Sequence, residues 1–103
     1  MIAWMRCLMI CMRKIKRATA FKRDFKREMK GPYRNVLDTD LRQIITALAS
    51  GQPLPPKYRD HGLNQNWKGY RDCHVRPDLV LIYRLDEDLL TLTRLGSHAE
   101  LNL

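Results

Sequence analysis

Asp72 and His74 stand two residues apart in a stretch, Trp67 to Val75, whose side chains alternate in character with a period of two. On a β-strand both leave the same face, about 7 Å apart along the chain. His61 lies in the preceding loop, Asp78 in the turn that follows, and His98 just past the last predicted strand, so separate segments can bring acid–base groups together. Imidazole titrates near neutrality, and histidines paired with aspartates, with arginine and lysine around them, can move a proton while stabilising an anionic phosphorane. RNA carries its own nucleophile in the ribose 2′-OH. An enzyme acting on it needs a base to take that proton, an acid to protonate the departing 5′ oxygen, and cations for the phosphate. Lys68, Arg71 and Arg94 are the candidate phosphate contacts. Trp67 and Tyr70 offer aromatic faces on which a base could stack.

Each residue type also has a plainer reading. A surface histidine is commonly just a polar side chain, an aspartate near a strand end caps a turn, and Trp67 and Tyr70 serve a core or its rim as readily as a nucleotide. Three histidines and two aspartates could instead hold zinc. The short ligand pairs of metal sites, CxxC and HxxxH, are absent, so the set is read as working without metal or cofactor.

The chain that must position these groups has 103 residues, enough for one domain with a modest core. Its formal charge of +8, with 45% apolar and 29% charged residues, fits a folded globule whose excess charge needs a partner. Nucleic acid is the leading candidate, because each phosphate neutralised by Lys or Arg releases counterions; an acidic protein competes with it. Cys7, Cys11 and Cys73 form no CxxC pair and are odd in number, which points to a reducing, cytoplasmic setting rather than a disulfide scaffold. Residues 1–11 are apolar but too short to span a bilayer, and they read as an extension outside the core; the domain proper is assigned to residues 12–103.

Ile15 and Ala18 among Lys14, Lys16 and Arg17 predict a short edge strand, since lysine along an edge blunts unwanted pairing. Thr19 is then placed to cap a helix with Phe21, Phe25 and Met29 as its apolar stripe, ended by Gly31 and Pro32. A second helix begins near Asp38 or Thr39, carries Leu37, Leu41, Ile44, Ile45 and Leu48, and stops at Ser50 and Gly51. Gln52 to Pro56 is a stiff linker delivering Tyr58 to His61 to a fixed place, and Asp60 to Asn66 reads as loop. Strands follow from Trp67 to Val75, Leu79 to Leu85 and Leu89 to Leu95, joined by the Arg76, Pro77, Asp78 corner and an acidic turn at Asp86 to Asp88. The order predicts an α+β fold with two helices on one face of a small, largely antiparallel sheet.

From Lys57 to Leu101 the residues closely resemble the YafQ branch of the RelE/ParE toxin superfamily, found in bacterial type II toxin–antitoxin systems. The DH before the loop, the WKGYRD-x-H core, the PD turn, the LIY strand and the terminal G-x-H-A-x-L carry the resemblance. The KRATAFKRDFKR run from Lys16 to Arg27 extends it upstream, and residues 1–11 stay unmatched.

The resemblance implies a small βααβββ fold and a ribosome-dependent endoribonuclease that cuts mRNA and is neutralised by a small acidic antitoxin of the DinJ/RelB type. It also implies that His61, Asp72, His74, Asp78 and His98 are the catalytic set. By analogy His61 and His98 share the base and acid roles, Asp72 and Asp78 orient or tune them, and His74 transfers a proton or contacts phosphate. Other members carry an aromatic near the C-terminus where this chain ends Leu101, Asn102, Leu103. Two further functions stay open: a non-catalytic toxin of the ParE kind acting on DNA gyrase, and a degenerate copy kept for antitoxin binding.

Overall fold

The computed structural model describes residues 13–64, 67–101 and 103. The expectations for residues 1–11 lie outside them. Strand β1 (Lys14–Arg17) leads into helix α1 (Thr19–Glu28) and then helix α2 (Leu37–Ala49). A single 3₁₀ turn, Pro56–Tyr58, precedes β2 (His61–Gly62), β3 (Arg71–Arg76), β4 (Leu79–Leu85), β5 (Leu89–Gly96) and a final short helix α3 (His98–Leu101). The strands form one sheet in the order β1-β5-β4-β3-β2. Only the β1–β5 pair is parallel. The α+β expectation and the edge position of β1 both hold.

The two faces of the sheet have different jobs. Cys73, Val75, Leu79, Leu81, Tyr83, Leu90 and Leu92 face the helices and join Phe21, Leu37, Leu41, Ile44, Ile45 and Leu48 in the main core. On the opposite face Val80, Ile82 and Leu101 form a smaller cluster with Leu63, Trp67 and Tyr70 against them. Strand β4 is thus covered on both sides, as its nearly continuous apolar run LVLIYRL predicts.

The first helix departs from its predicted stripe. Its buried residues are Phe21, Asp24 and Glu28, whereas Met29 is exposed. Strand β1 reaches only as far as Leu92, and beyond it α1 runs along the open edge of β5. Asp24 there accepts from the Leu95 backbone N–H at 3.0 Å, and Arg27 donates to the Leu95 carbonyl at 2.9 Å. Two side chains do what a neighbouring strand's backbone would otherwise do. Thr19 is not the cap of α1: Ala18 holds that position without a side-chain bond, and Thr19 is already helical.

The strand expected from Trp67 to Val75 also starts later. Trp67 to Gly69 form a turn, with Gly69 at φ +91°, where a side chain would strain the backbone, and β3 begins at Arg71. Part of the predicted loop becomes β2, whose His61 pairs with Asp72 and Gly62 with Arg71.

Candidate active site

Register carries the site. His61 sits opposite Asp72, which sits opposite Ile82, while His74 sits opposite Val80. Residues directly opposed in an antiparallel ladder share a face. His61, Asp72 and His74 therefore stand together on the face away from the two long helices. Asp78 comes from the turn after β3, and His98 from the first residue of α3.

All five predicted groups meet in one row. The His61 and His74 rings are 6.4 Å apart centre to centre, and those of His74 and His98 are 5.0 Å apart. Each outer histidine has its Nδ1 held. His98 Nδ1 is 2.7 Å from Asp78 Oδ1, which also accepts the His98 backbone N–H at 3.1 Å. His61 Nδ1 is 2.8 Å from the Arg59 carbonyl oxygen. A carbonyl can only accept, so Nδ1 of His61 carries the hydrogen and Nε2 is left with a lone pair. Arg59 presents that carbonyl by adopting φ 50°, the left-handed region, and among the described residues it is the one non-glycine to do so. Such strain persists where the surroundings enforce it, and here it lies two residues from a catalytic candidate.

The surroundings that enforce it were not visible as a pattern in the sequence. Asp60, between Arg59 and His61, accepts from Arg71 Nε and Nη2 at 3.2 and 3.1 Å and from the Tyr83 hydroxyl. Burial, and then its bond to Asp60, push the Tyr83 phenol up, so it stays a donor. This clamp ties the segment before His61 to β3 and β4. Arg71, expected as a phosphate contact, is held in this clamp, and alternation along β3 turns it to the Cys73 side, away from Asp72 and His74. Arg94 is likewise engaged, 2.6 Å from Asp24 Oδ2, so it is not an uncompensated cation for RNA. Trp67 and Tyr70 are half-buried, edge to face at 5.6 Å, and pack against the small cluster. Lys68 is exposed in the turn between them.

Helix α3 had a sequence signal that went unread, the S-x-x-E of Ser97 and Glu100. The Ser97 backbone N–H donates to Glu100 Oε1 at 2.9 Å, and the Glu100 N–H donates to Ser97 Oγ at 3.2 Å, a capping box that orients His98. A Cβ at Gly96, just before it, would lie 2.9 Å from Arg27 Nη2 and 3.1 Å from Glu100 Oε1, so those two side chains would have to shift.

The electrostatics separate the groups. Burial lowers the His74 pKa and the neighbouring His98 adds to this, with Asp72 opposing, so His74 stays neutral near neutral pH. The bonds from His98 hold Asp78 below the usual carboxylate range. Asp72, 3% exposed, is pushed up by burial against the attraction of the three histidines. Its Oδ1 is 3.1 Å from His61 Nδ1, but that N–H is directed at Arg59, so the oxygen lacks a hydrogen-bond donor among the described residues.

A buried, under-bonded carboxylate is a stability cost. Asp72→Asn is expected to stabilise the fold by about 1 kcal/mol near pH 8, while activity falls. Because the folded pKa is raised, the cost is absent below the unfolded value and grows as pH rises through the folded one. Urea midpoints near pH 8 and near pH 4 check this: the gain should shrink at the lower pH, and a lower midpoint for the variant near pH 8 would exclude it.

A row of three imidazoles with two carboxylates, on a small α+β sheet, can be compared with known proteins. The family model for YafQ, bacterial toxins of type II toxin–antitoxin systems, matches residues 13–103. The chain belongs to the YafQ toxin family. It is 40% identical over 89 residues to the mRNA interferase toxin YafQ of Escherichia coli strain B, covering 84% of this chain and 97% of that one. The YafQ chain in the E. coli DinJ–YafQ complex superposes with a TM-score of 0.76 at 42% identity, over 86% of this chain and 97% of that one. A metal-bound toxin from Helicobacter pylori superposes at 0.74 with 38% identity, over 87% and 98% of the two chains. In this YafQ-family chain, among the described residues, no group of three or more His, Cys, Asp and Glu side chains is arranged to hold a metal ion. No helix among them is long and apolar enough to cross a membrane.

Proposed function

We propose that this toxin is an mRNA interferase that cleaves ribosome-bound message by metal-independent transphosphorylation in the cytoplasm. The observation that carries the reading is the row His61–His74–His98, its two ends fixed through Nδ1 and its centre neutral. His61 Nε2 takes the proton of a ribose 2′-OH. The 2′ oxygen attacks the adjacent phosphorus, the bond from phosphorus to the 5′ oxygen breaks, and His98 Nε2 delivers a proton to that leaving oxygen. The products are a 2′,3′-cyclic phosphate and a 5′-OH end. Asp78 suits His98 to the acid role, because a carboxylate at Nδ1 stabilises the imidazolium that gives up the proton. Neutral His74 lies between them, placed to donate a hydrogen bond to a non-bridging phosphate oxygen as charge builds there.

The partner that silences the enzyme is proposed to be an acidic antitoxin of the DinJ kind. Helix α1 presents Lys22, Arg23 and Lys26 beside an apolar groove of about 550 Å³ that includes Phe25, a surface suited to an amphipathic acidic segment.

Primer extension on total mRNA after brief induction tests the activity, with discrete cuts expected. Cleavage by the purified protein on ribosomes should persist in 1,10-phenanthroline with Mg²⁺ kept to hold the ribosomes together. Intact transcripts in an arrested culture would rule out the nuclease, and loss of cutting in the transition-metal chelator would rule out chemistry free of such metals.

A further inference from the structure

Beside the catalytic row lies a cleft of about 440 Å³ that the acid–base chemistry does not use. Its floor is the outer edge of β3. Strand β2 pairs only with Arg71 and Asp72, so from Cys73 onward β3 has β4 on one side and, among the described residues, no strand on the other. The ladder is bulged at Val75, between His74 and Arg76, a device that re-aims side chains at a sheet edge. One wall is α2, contributing Asp40 and Gln43; the other is the 3₁₀ turn, contributing Tyr58 and Arg59.

The polar groups are arranged for reading rather than for charge alone. Arg76 Nε holds Asp40 Oδ2 at 2.7 Å, which fixes the carboxylate and cancels its repulsion toward RNA while leaving Oδ1 as an acceptor. The Tyr58 hydroxyl donates to Gln43 Oε1 at 3.4 Å and steadies the amide. A carboxamide offers donor and acceptor side by side, the combination that matches a base edge. His74 belongs to both places: it lines this cleft and is the middle of the catalytic row. Because His74 is common to both, the cleft adjoins the place proposed for the scissile phosphate. The volume suits a small ligand such as one unstacked base, the form in which single-stranded RNA is usually read.

We propose that this cleft is a base-reading subsite: it receives the unstacked base of a nucleotide flanking the scissile phosphate, and Gln43 and Asp40 set which base is preferred there. The inference rests on the nuclease reading above. Gln43 is exposed on α2 and makes no part of the core, so its replacement leaves the fold intact.

The test compares wild type, Gln43→Leu and Gln43→Glu by sequencing the 5′ ends generated on ribosome-bound mRNA, with circular dichroism as the folding control. Total cleavage should stay within about tenfold of wild type. Base frequencies at one fixed position beside the cut should flatten in Gln43→Leu, and a different base should be favoured in Gln43→Glu, where the amide donor has become an acceptor. Variants that cut with the wild-type base profile overturn the subsite, even if their antitoxin binding weakens. A wild-type protein that makes no cuts overturns the nuclease reading itself, and the subsite with it.

Discussion

His98→Ala is expected to slow mRNA cleavage about 10²- to 10⁴-fold, the range for loss of a positioned general acid, and to do so in a protein that melts like wild type. His98 is only half-buried and starts a four-residue helix whose capping box, Ser97 with Glu100, does not involve its ring. Little of the fold depends on it. Asp78→Asn should give a smaller defect of the same kind, because an amide presented to Nδ1 no longer stabilises the imidazolium and can hold the wrong tautomer. His61→Ala should be as severe as His98→Ala, and the double variant should lose little more than either alone, since base and acid act together in the same displacement. Cleavage of a reporter message in a purified translation system measures all four. A folded His98→Ala protein cutting at the wild-type rate would remove this residue from the mechanism.

The distinction between what was and was not legible follows from where each residue's partners lie. Asp72 and His74 could be read together because period-two alternation is local, and the PD turn and the strand end bracket Asp78 and His98. Arg71 and Arg94 look equally suited to phosphate, but each is paired with a carboxylate elsewhere in the chain: Asp60 for the first and Asp24, seventy positions away, for the second. No spacing rule connects them. Trp67 and Tyr70 were ambiguous for a related reason, since whether an aromatic stacks on a base or fills a core depends on the face opposite, here Val80, Ile82 and Leu101. Arg59 shows the remaining gap: a left-handed arginine has no sequence signature, yet its carbonyl is what fixes the His61 tautomer.

Asp24 leads to the second large effect, and it concerns stability rather than turnover. Its side chain is fully buried, and three partners depend on it: Arg94 Nε at 2.6 Å, Arg27 Nη1 at 3.0 Å and the Leu95 backbone N–H at 3.0 Å. Asp24→Ala leaves that N–H buried without an acceptor and Arg94 without the carboxylate it pairs with, while Arg27 keeps Glu28 and Glu100. The expected loss is about 3 kcal/mol, a large share of the roughly 5–15 kcal/mol that stabilises a domain. The melting temperature should fall on the order of 15 °C. Asp24→Asn should lose less, because an amide oxygen still accepts from Leu95. The pH dependence separates charge from shape. Burial alone would raise this carboxyl's pKa, but the bonds from Arg94 and Leu95, with the charge of Arg27, outweigh it and hold the value low. A depressed folded pKa means that the stabilisation is present above the unfolded value, near 3.8, and is lost as pH falls through the folded one. Below that range the wild type and Asp24→Asn should converge in urea midpoint, having differed near neutrality. A constant gap across pH would mean that the carboxylate's charge contributes nothing and that its shape alone closes the edge of β5.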